Sequence, residues 1–153
     1  MAEPITETLE IERLFNASIE KVFDAWTQAK LIAKWFGPEG FHVVESEIDC
    51  RPQGKYSITL NSPDNNTIKH FGEYLEVNRP EQLIFTWMLE DQSCSGSKGQ
   101  NALTVVEITL STQQQQTLLK LKHEKLPNQA ALNGHRFGWT SSFNGLEKLL
   151  NRP

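Results

Sequence analysis

The feature that most constrains the fold is a succession of strand-like segments in the middle of the chain, separated by short turns. The alternation of apolar and polar residues predicts six of them, at 43–50, 55–61, 68–78, 82–89, 102–111 and 117–125. The breaks have the composition of turns and lie at 52–54, 62–66, 79–81 and 91–100. Parallel neighbours need long crossover connections, so links this short predict antiparallel pairs.

A further strand and two short helices are predicted before this series. Apolar and polar residues alternate over 6–15 with the two-residue period of a half-buried strand. Asn16 or Ser18 can then accept hydrogen bonds from the free backbone amides that begin a helix. A second helix is predicted over about 30–35 and ends at the Gly-Pro pair at 37–38.

A long amphipathic helix is predicted at the C-terminus, over about 133–150. Its apolar arc carries His135, Trp139, Ser142, Phe143, Leu146, Leu149 and Leu150. A seven-stranded sheet must cover its apolar face, and this helix is long enough to do so. We therefore predict an α+β fold in which a curved antiparallel sheet wraps around the helix. The hollow left between them is the default site for a ligand.

Two glycines border the apolar arc of that helix. Gly138 and Gly145 each cost roughly 1 kcal/mol of helix propensity relative to alanine. One interpretation is close packing of the helix backbone against its neighbours. The other is space left empty beside the helix. The sequence is compatible with both.

Composition is typical of one globular domain and excludes several functional classes. The chain has 153 residues, 38% of them hydrophobic and 22% charged, which is enough to build a core without disulfides or a metal. A net charge of −4, with basic residues spread along the chain, disfavours nucleic acid as a partner. No apolar run could span a membrane, and the N-terminus has no signal-peptide pattern. We expect a cytoplasmic protein whose Cys50 and Cys94 stay reduced.

Three short motifs are similar to those of a known family. They are Trp35-Phe36-Gly37-Pro38, Leu121-Lys122-His123, and Gly138-Trp139 followed by Phe143, Leu146 and Leu150. With them, residues 5–150 resemble the activator of heat-shock protein 90 ATPase homologue-like family. That family belongs to the START-like (SRPBCC) helix-grip superfamily, with the birch-pollen allergens and the polyketide cyclases. The resemblance implies a single helix-grip domain over residues 1–153.

The resemblance also implies which residues line the cavity. The short helices would cap one end of it, and the long helix and the inward faces of two strands would form its walls. The expected cavity-lining residues are Trp35, Phe36, Phe85, Trp87, Leu121, His123, Trp139, Phe143 and Leu146.

Polar side chains near this cavity are few. His123 has the parity of an inward-facing residue and could bond either a ligand or a neighbouring helix or loop. Glu73 shares the parity of Phe71 and Leu75, so we expect it within an apolar face, where its carboxylate would need a hydrogen-bonding partner. Glu73 and Tyr74 are the candidate polar contacts.

No metal or cofactor is expected. His135 lies one helical turn before Trp139 and could pair in space with His123, but the chain has no metal-type spacing of histidine or cysteine. Ser141 and Ser142 lack the Gly-x-Ser-x-Gly setting of a serine hydrolase.

Three functions are compatible with these observations. The first is a module that binds a small apolar or aromatic ligand by burying its surface. The second is a protein-interaction or co-chaperone module, which the resemblance alone supports. The third is a cyclase- or hydrolase-type enzyme, for which no arrangement of nucleophile, base and oxyanion donors is recognisable.

Overall fold

The computed structural model describes residues 6–91 and 103–151, and this part of the chain forms seven strands and three helices. The strands are β1 (Glu7–Phe15), β2 (His42–Ile48), β3 (Lys55–Asn61), β4 (Thr67–Asn78), β5 (Gln82–Asp91), β6 (Thr104–Gln113) and β7 (Gln116–Leu126). The helices are α1 (Ile19–Thr27), α2 (Ala29–Trp35) and α3 (Gln129–Leu150). The strand boundaries differ from the predicted ones by at most two residues.

The strands form one antiparallel sheet in the order β1-β7-β6-β5-β4-β3-β2. From β2 to β7 each strand pairs with the next along the chain, and β1 completes the sheet beside β7. The predicted seven-stranded antiparallel sheet is therefore confirmed. A bulge between Tyr74 and Glu76 interrupts the pairing of β4 with β5. Bulges bend a strand and increase its twist, so this one contributes to the curvature of the sheet.

The polar tract at 113–116 forms the tip of the hairpin between β6 and β7. Gln114 and Gln115 connect β6 to β7 and have positive φ values of 49° and 73°. Two successive residues with positive φ are typical of the turn whose twist matches a two-residue hairpin. Glutamine is an uncommon choice here, because glycine and asparagine adopt this conformation at lower cost.

The two short helices begin and end as their sequences predicted. The Ser18 hydroxyl caps α1 by accepting the Lys21 N–H at 3.2 Å. Gly37, two residues past the end of α2, has a φ of 111°. The Trp35 indole N–H donates to the Ala25 carbonyl at 2.8 Å and fixes α2 against α1.

Helix α3 begins one turn earlier than predicted. Asn128 is its N-cap, and the Asn128 side chain accepts the Ala131 N–H at 2.8 Å. The predicted start at Asn133 was wrong because it followed the apolar arc and overlooked the cap that Asn128 provides after Pro127. In the described part of the chain, no helix has both the length and the apolar character that crossing a membrane requires.

The C-terminal half of α3 packs tightly into the core. Phe143 lies 6.1 Å from Phe15 and 6.2 Å from Trp26, measured between ring centroids. A Cβ atom on Gly145 would lie 3.0 Å from the Trp35 carbonyl oxygen, which is tighter than ordinary van der Waals contact. Gly145 therefore lets the backbones of α2 and α3 approach each other, as the first interpretation of the glycines proposed.

Candidate functional site

A pocket of about 620 Å³ lies between α3, the loop after α2 and the inner face of the sheet. The sheet contributes Leu60, Ile68, His70, Trp87 and Leu89 to it. The segment that leads into α3 borders it with Leu126, Pro127 and Asn128. Among the residues that the structure describes, no aspartate, glutamate, lysine or arginine lines this pocket.

The loop after α2 forms one wall. It contributes Phe36, Gly37, Pro38 and Phe41. The Ser142 hydroxyl of α3 accepts the Gly37 N–H at 3.1 Å. The Ser141 hydroxyl accepts the Glu39 N–H at 2.7 Å. These two hydrogen bonds hold the loop against the helix, so the position of the wall is fixed by α3.

Helix α3 forms a second wall, adjacent to the loop, and contributes two glycines to the pocket lining. Gly134 and Gly138 both line it, one helical turn apart. A Cβ atom built on either would meet no atom within 4 Å apart from the adjoining turns of its own helix. Gly138 thus matches the second interpretation of the helix glycines, empty space, whereas Gly145 matches the first. Gly138 and Gly145 therefore have opposite structural roles.

Trp87 lies at the centre of an aromatic cluster that forms part of the pocket lining. Its ring is stacked on His70, with centroids 4.6 Å apart and planes 29° apart. It also lies 5.0 Å from the Trp139 ring and 6.0 Å from the Phe36 ring. All four rings line the pocket. The wall therefore consists largely of flat aromatic surface.

His123 is fully buried beside this cluster, and both of its ring nitrogens are hydrogen-bonded. The Trp139 indole N–H donates to Nδ1 at 3.2 Å, so Nε2 carries the proton and donates to the Thr104 hydroxyl at 2.8 Å. The Thr104 hydroxyl donates in turn to the Trp87 carbonyl at 2.9 Å. Burial lowers the pKa of His123 to about 3, so the ring is neutral near pH 7.

His135, on α3, is also satisfied by protein groups. The Trp87 indole N–H donates to Nε2 at 3.2 Å, and Nδ1 donates to the Ala131 carbonyl at 2.8 Å. Burial lowers its pKa, which the Ala131 carbonyl partly offsets. The rings of His123 and His135 are 4.7 Å apart, which is the spatial pair that the sequence suggested. In residues 6–91 and 103–151, no group of metal-binding side chains is positioned to hold an ion.

His70 differs from the other two histidines of the cluster. It lies on β4, and its Nδ1 is buried with no hydrogen-bond partner. Burial, with a smaller contribution from His135, lowers the pKa of His70 to about 3. A buried polar atom without a partner is costly, so His70 is the pocket residue whose hydrogen bonding is incomplete.

The structure divides the predicted cavity residues into two groups. Phe36, Trp87 and Trp139 line the pocket. The others are buried in the core without lining the pocket, namely Trp35, Phe85, Leu121, His123, Phe143 and Leu146. The prediction placed all nine at the cavity because neither the family resemblance nor the inward parity of strand residues distinguishes a cavity wall from the core behind it.

Glu73 is not where the sequence placed it. Its neighbours of like parity lie on the outer face of the sheet, where Leu75 is 46% exposed. The prediction was wrong because Phe71 and Leu75 made the outer face of β4 look apolar. The inner face instead carries Ile68, His70 and Tyr74.

Tyr74 points inward but belongs to a second aromatic cluster away from the pocket. Its ring lies 5.5 Å from Tyr56 and 6.0 Å from Phe85. Burial raises the pKa of the Tyr74 hydroxyl, with a smaller contribution from Cys50. The Tyr56 hydroxyl donates to the Thr86 carbonyl at 2.7 Å.

Among the pocket residues that the sequence analysis missed are Gly134 and His70, and His70 is the one that a sequence signal could have found. The signal that could have found it is Gly72, two residues along the same face of β4. A Cβ at Gly72 would clash with the Thr86 carbonyl, so glycine marks the face where the sheet bends inward. His70 and Tyr74 share that parity, and reading β4 from Gly72 would have placed both on the inner face.

These features define a helix-grip architecture, with a curved antiparallel sheet around a long C-terminal helix and two short helices after the first strand. The sequence model of the family described as activator of Hsp90 ATPase homolog 1-like protein matches residues 16–151. The chain therefore belongs to that family. A search of curated proteins finds no match.

Solved structures show the same fold over almost the whole chain. A crystal structure of a protein from Chromobacterium violaceum is 25% identical, with a TM-score of 0.82, and the match covers 95% of this chain and 98% of that one. A protein of Silicibacter pomeroyi, named for the same family, is 25% identical with a TM-score of 0.82 over 94% and 97% of the two chains. A protein of Nitrosomonas europaea is 25% identical with a TM-score of 0.78 over 94% and 93%.

Proposed function

We propose that residues 1–153 form one helix-grip domain that binds a small apolar or aromatic ligand in the pocket beside α3. The observation that carries this proposal is the pair Gly134 and Gly138, one turn apart, whose missing side chains leave open space. Each glycine costs the helix roughly 1 kcal/mol relative to alanine. Gly138 makes no close backbone contact that would require it, so a role in keeping the pocket open accounts for that cost.

The walls suit an aromatic ligand. A volume of about 620 Å³ lies within the range of small-molecule sites. Burial of apolar ligand surface contributes roughly 25 cal/mol per Å² before the costs of association. Phe36, Trp87 and Trp139 would contact the ligand, and the predicted residues behind them would hold these rings in place.

The test is a titration with naphthalene, followed by tryptophan emission and by isothermal calorimetry. Trp87 and Trp139 lie in the wall, so binding should change their emission. In Gly138→Leu the new side chain enters the pocket, and we expect naphthalene affinity to fall by roughly tenfold or more. A ligand that binds only the folded form should also raise the melting temperature of the wild type.

The matched control is Thr140→Leu, which adds a leucine to an exposed position on the same helix. It should leave naphthalene affinity unchanged. Equal affinities in the wild type, Gly138→Leu and Thr140→Leu would place the binding site elsewhere. If the wild type does not bind naphthalene, the proposed binding function is wrong.

A second candidate function is co-chaperone activity, which the family description favours. An exposed aromatic residue on α3 gives it a physical basis, because Phe137 is 71% exposed. A co-chaperone should raise the ATP turnover of an Hsp90 chaperone, and Phe137→Ser should reduce that effect without changing naphthalene affinity. An unchanged ATP turnover would exclude this candidate.

A further inference from the structure

The three histidines around Trp87 are not equivalent, and their difference bears on the ligand. Both nitrogens of His123 and of His135 have protein partners. The Nδ1 of His70 has none, although His70 lines the pocket. The aromatic wall thus contains one imidazole with unused hydrogen-bonding capacity.

A half-turn of the His70 ring would bring this unpaired nitrogen to the other edge of the ring without disturbing the wall. A half-turn of the imidazole about its Cβ–Cγ bond exchanges Nδ1 with a ring carbon and leaves the ring plane unchanged. The stacking of His70 on Trp87, at 4.6 Å, is therefore the same in both orientations. Either orientation gives the ring one nitrogen that donates and one that accepts.

The charge of the pocket limits what that ligand can be. No described residue with a formal charge lines the pocket, and its histidines are neutral near pH 7 because burial lowers the pKa values of His70 and His135. The first turn of α3 borders the pocket and weakly favours an anion, but the Asn128 side chain already accepts the Ala131 N–H. That preference is weaker than the cost of removing a carboxylate from water without a counter-ion.

We propose that the ligand is an uncharged aromatic molecule carrying a hydroxyl group that hydrogen-bonds to His70. A hydroxyl both donates and accepts, so it can satisfy either tautomer of the ring. This proposal rests on the proposed binding function and specifies its ligand class. His70 is then the residue that distinguishes a hydroxylated ring from a bare one.

The experiment compares four two-ring probes of the same shape at neutral pH, where 2-naphthol is uncharged. They are naphthalene, 2-naphthol, naphthalene-2-carboxylate and 2-naphthylmethylammonium. We expect 2-naphthol to bind the wild type about fivefold more tightly than naphthalene, as one added hydrogen bond would give. The two charged probes should bind at least about tenfold more weakly than 2-naphthol.

His70→Phe keeps a ring to stack on Trp87 and removes both nitrogens. In this variant the preference for 2-naphthol over naphthalene should disappear, so the ratio of the two affinities should fall from about five to about one. Nitrogen chemical shifts of labelled histidine supply a second readout in the wild type. Those of His70 should move with 2-naphthol and stay in place with naphthalene.

The outcomes separate this inference from the proposed function. If naphthalene does not bind, or binds Gly138→Leu as well as the wild type, the binding function itself fails. If naphthalene binds as expected but a charged probe binds more tightly than 2-naphthol, the uncharged-ligand proposal is wrong. If 2-naphthol gains nothing over naphthalene, or leaves the His70 shifts unchanged, His70 is not the contact.

Discussion

The two halves of α3 use the same residue type for opposite purposes. In the C-terminal half, Gly145 lets the helix backbone approach the Trp35 carbonyl. In the N-terminal half, Gly134 and Gly138 face open space, and the helix borders the pocket. One half of the helix holds the fold together and the other half keeps a volume empty. A glycine in a helix therefore has to be interpreted by what its missing side chain would touch.

The largest expected effect is a loss of folding stability in acid, which the buried histidines around Trp87 cause. His70 and His123 have pKa values of about 3 in the folded protein, against an ordinary value of 6.5. As pH falls below 6.5 the unfolded chain takes up protons that the folded chain does not, so stability present above pH 6.5 is lost toward pH 3. Well below pH 6.5 each histidine should lower the unfolding free energy by about 1.4 kcal/mol per pH unit. Since the unfolded histidines are only half protonated at pH 6.5, the loss for both between pH 6.5 and 5 is roughly 3.3 kcal/mol.

Urea unfolding at several pH values between 7.5 and 5 measures this loss. His70→Gln removes one of the histidines whose pKa burial lowers, so its unfolding free energy should decline less steeply over this range than that of the wild type. A wild-type unfolding free energy that does not change between pH 7 and 5 would contradict the neutral histidine cluster.

The next largest effect is expected from leucine substitutions that compare Gly145 with Gly138 directly. Gly145→Leu must displace the Trp35 backbone, and overpacking of this kind should cost roughly 3 kcal/mol of unfolding free energy. Gly138→Leu has room for its side chain, so its loss should be below about 1 kcal/mol. Chemical denaturation of the two variants measures both losses of unfolding free energy. Equal losses would show that the two halves of α3 do not differ in packing.

The fold was largely predictable because its signals are local. The two-residue alternation, the short turns and the apolar arc of α3 each depend on neighbouring residues, and together they predict the seven-stranded sheet and its covering helix. Phe36, Trp87 and Trp139 followed from the family resemblance and do line the pocket.

The remainder of the site depends on distances that a sequence does not contain. The faces of β4 have similar composition, and Gly72 is the one sequence signal that separates them, although its contact with Thr86 is a property of the fold. The roles of Gly138 and Gly145 differ for the same reason, since one residue type serves both. The unsatisfied Nδ1 of His70 likewise depends on which side chains surround it.

The smallest expected effect comes from alanine substitutions at Gly138 and Gly145. Gly138→Ala adds a methyl group in open space and should raise the unfolding free energy by up to about 1 kcal/mol through helix propensity. Gly145→Ala should gain nothing or lose stability, because its methyl group would press on the Trp35 carbonyl. Thermal and urea unfolding of both alanine variants provide the measurement. A larger gain at Gly145 than at Gly138 would reverse the assignment of the two roles.

The most direct test of the pocket as a ligand site is a crystal structure of the protein grown with 2-naphthol. We predict electron density for the two rings against Trp139, Trp87 and the glycines of α3, with the hydroxyl oxygen within hydrogen-bonding distance of a His70 nitrogen. An empty pocket at saturating 2-naphthol, or density for the probe only at another surface, would contradict it.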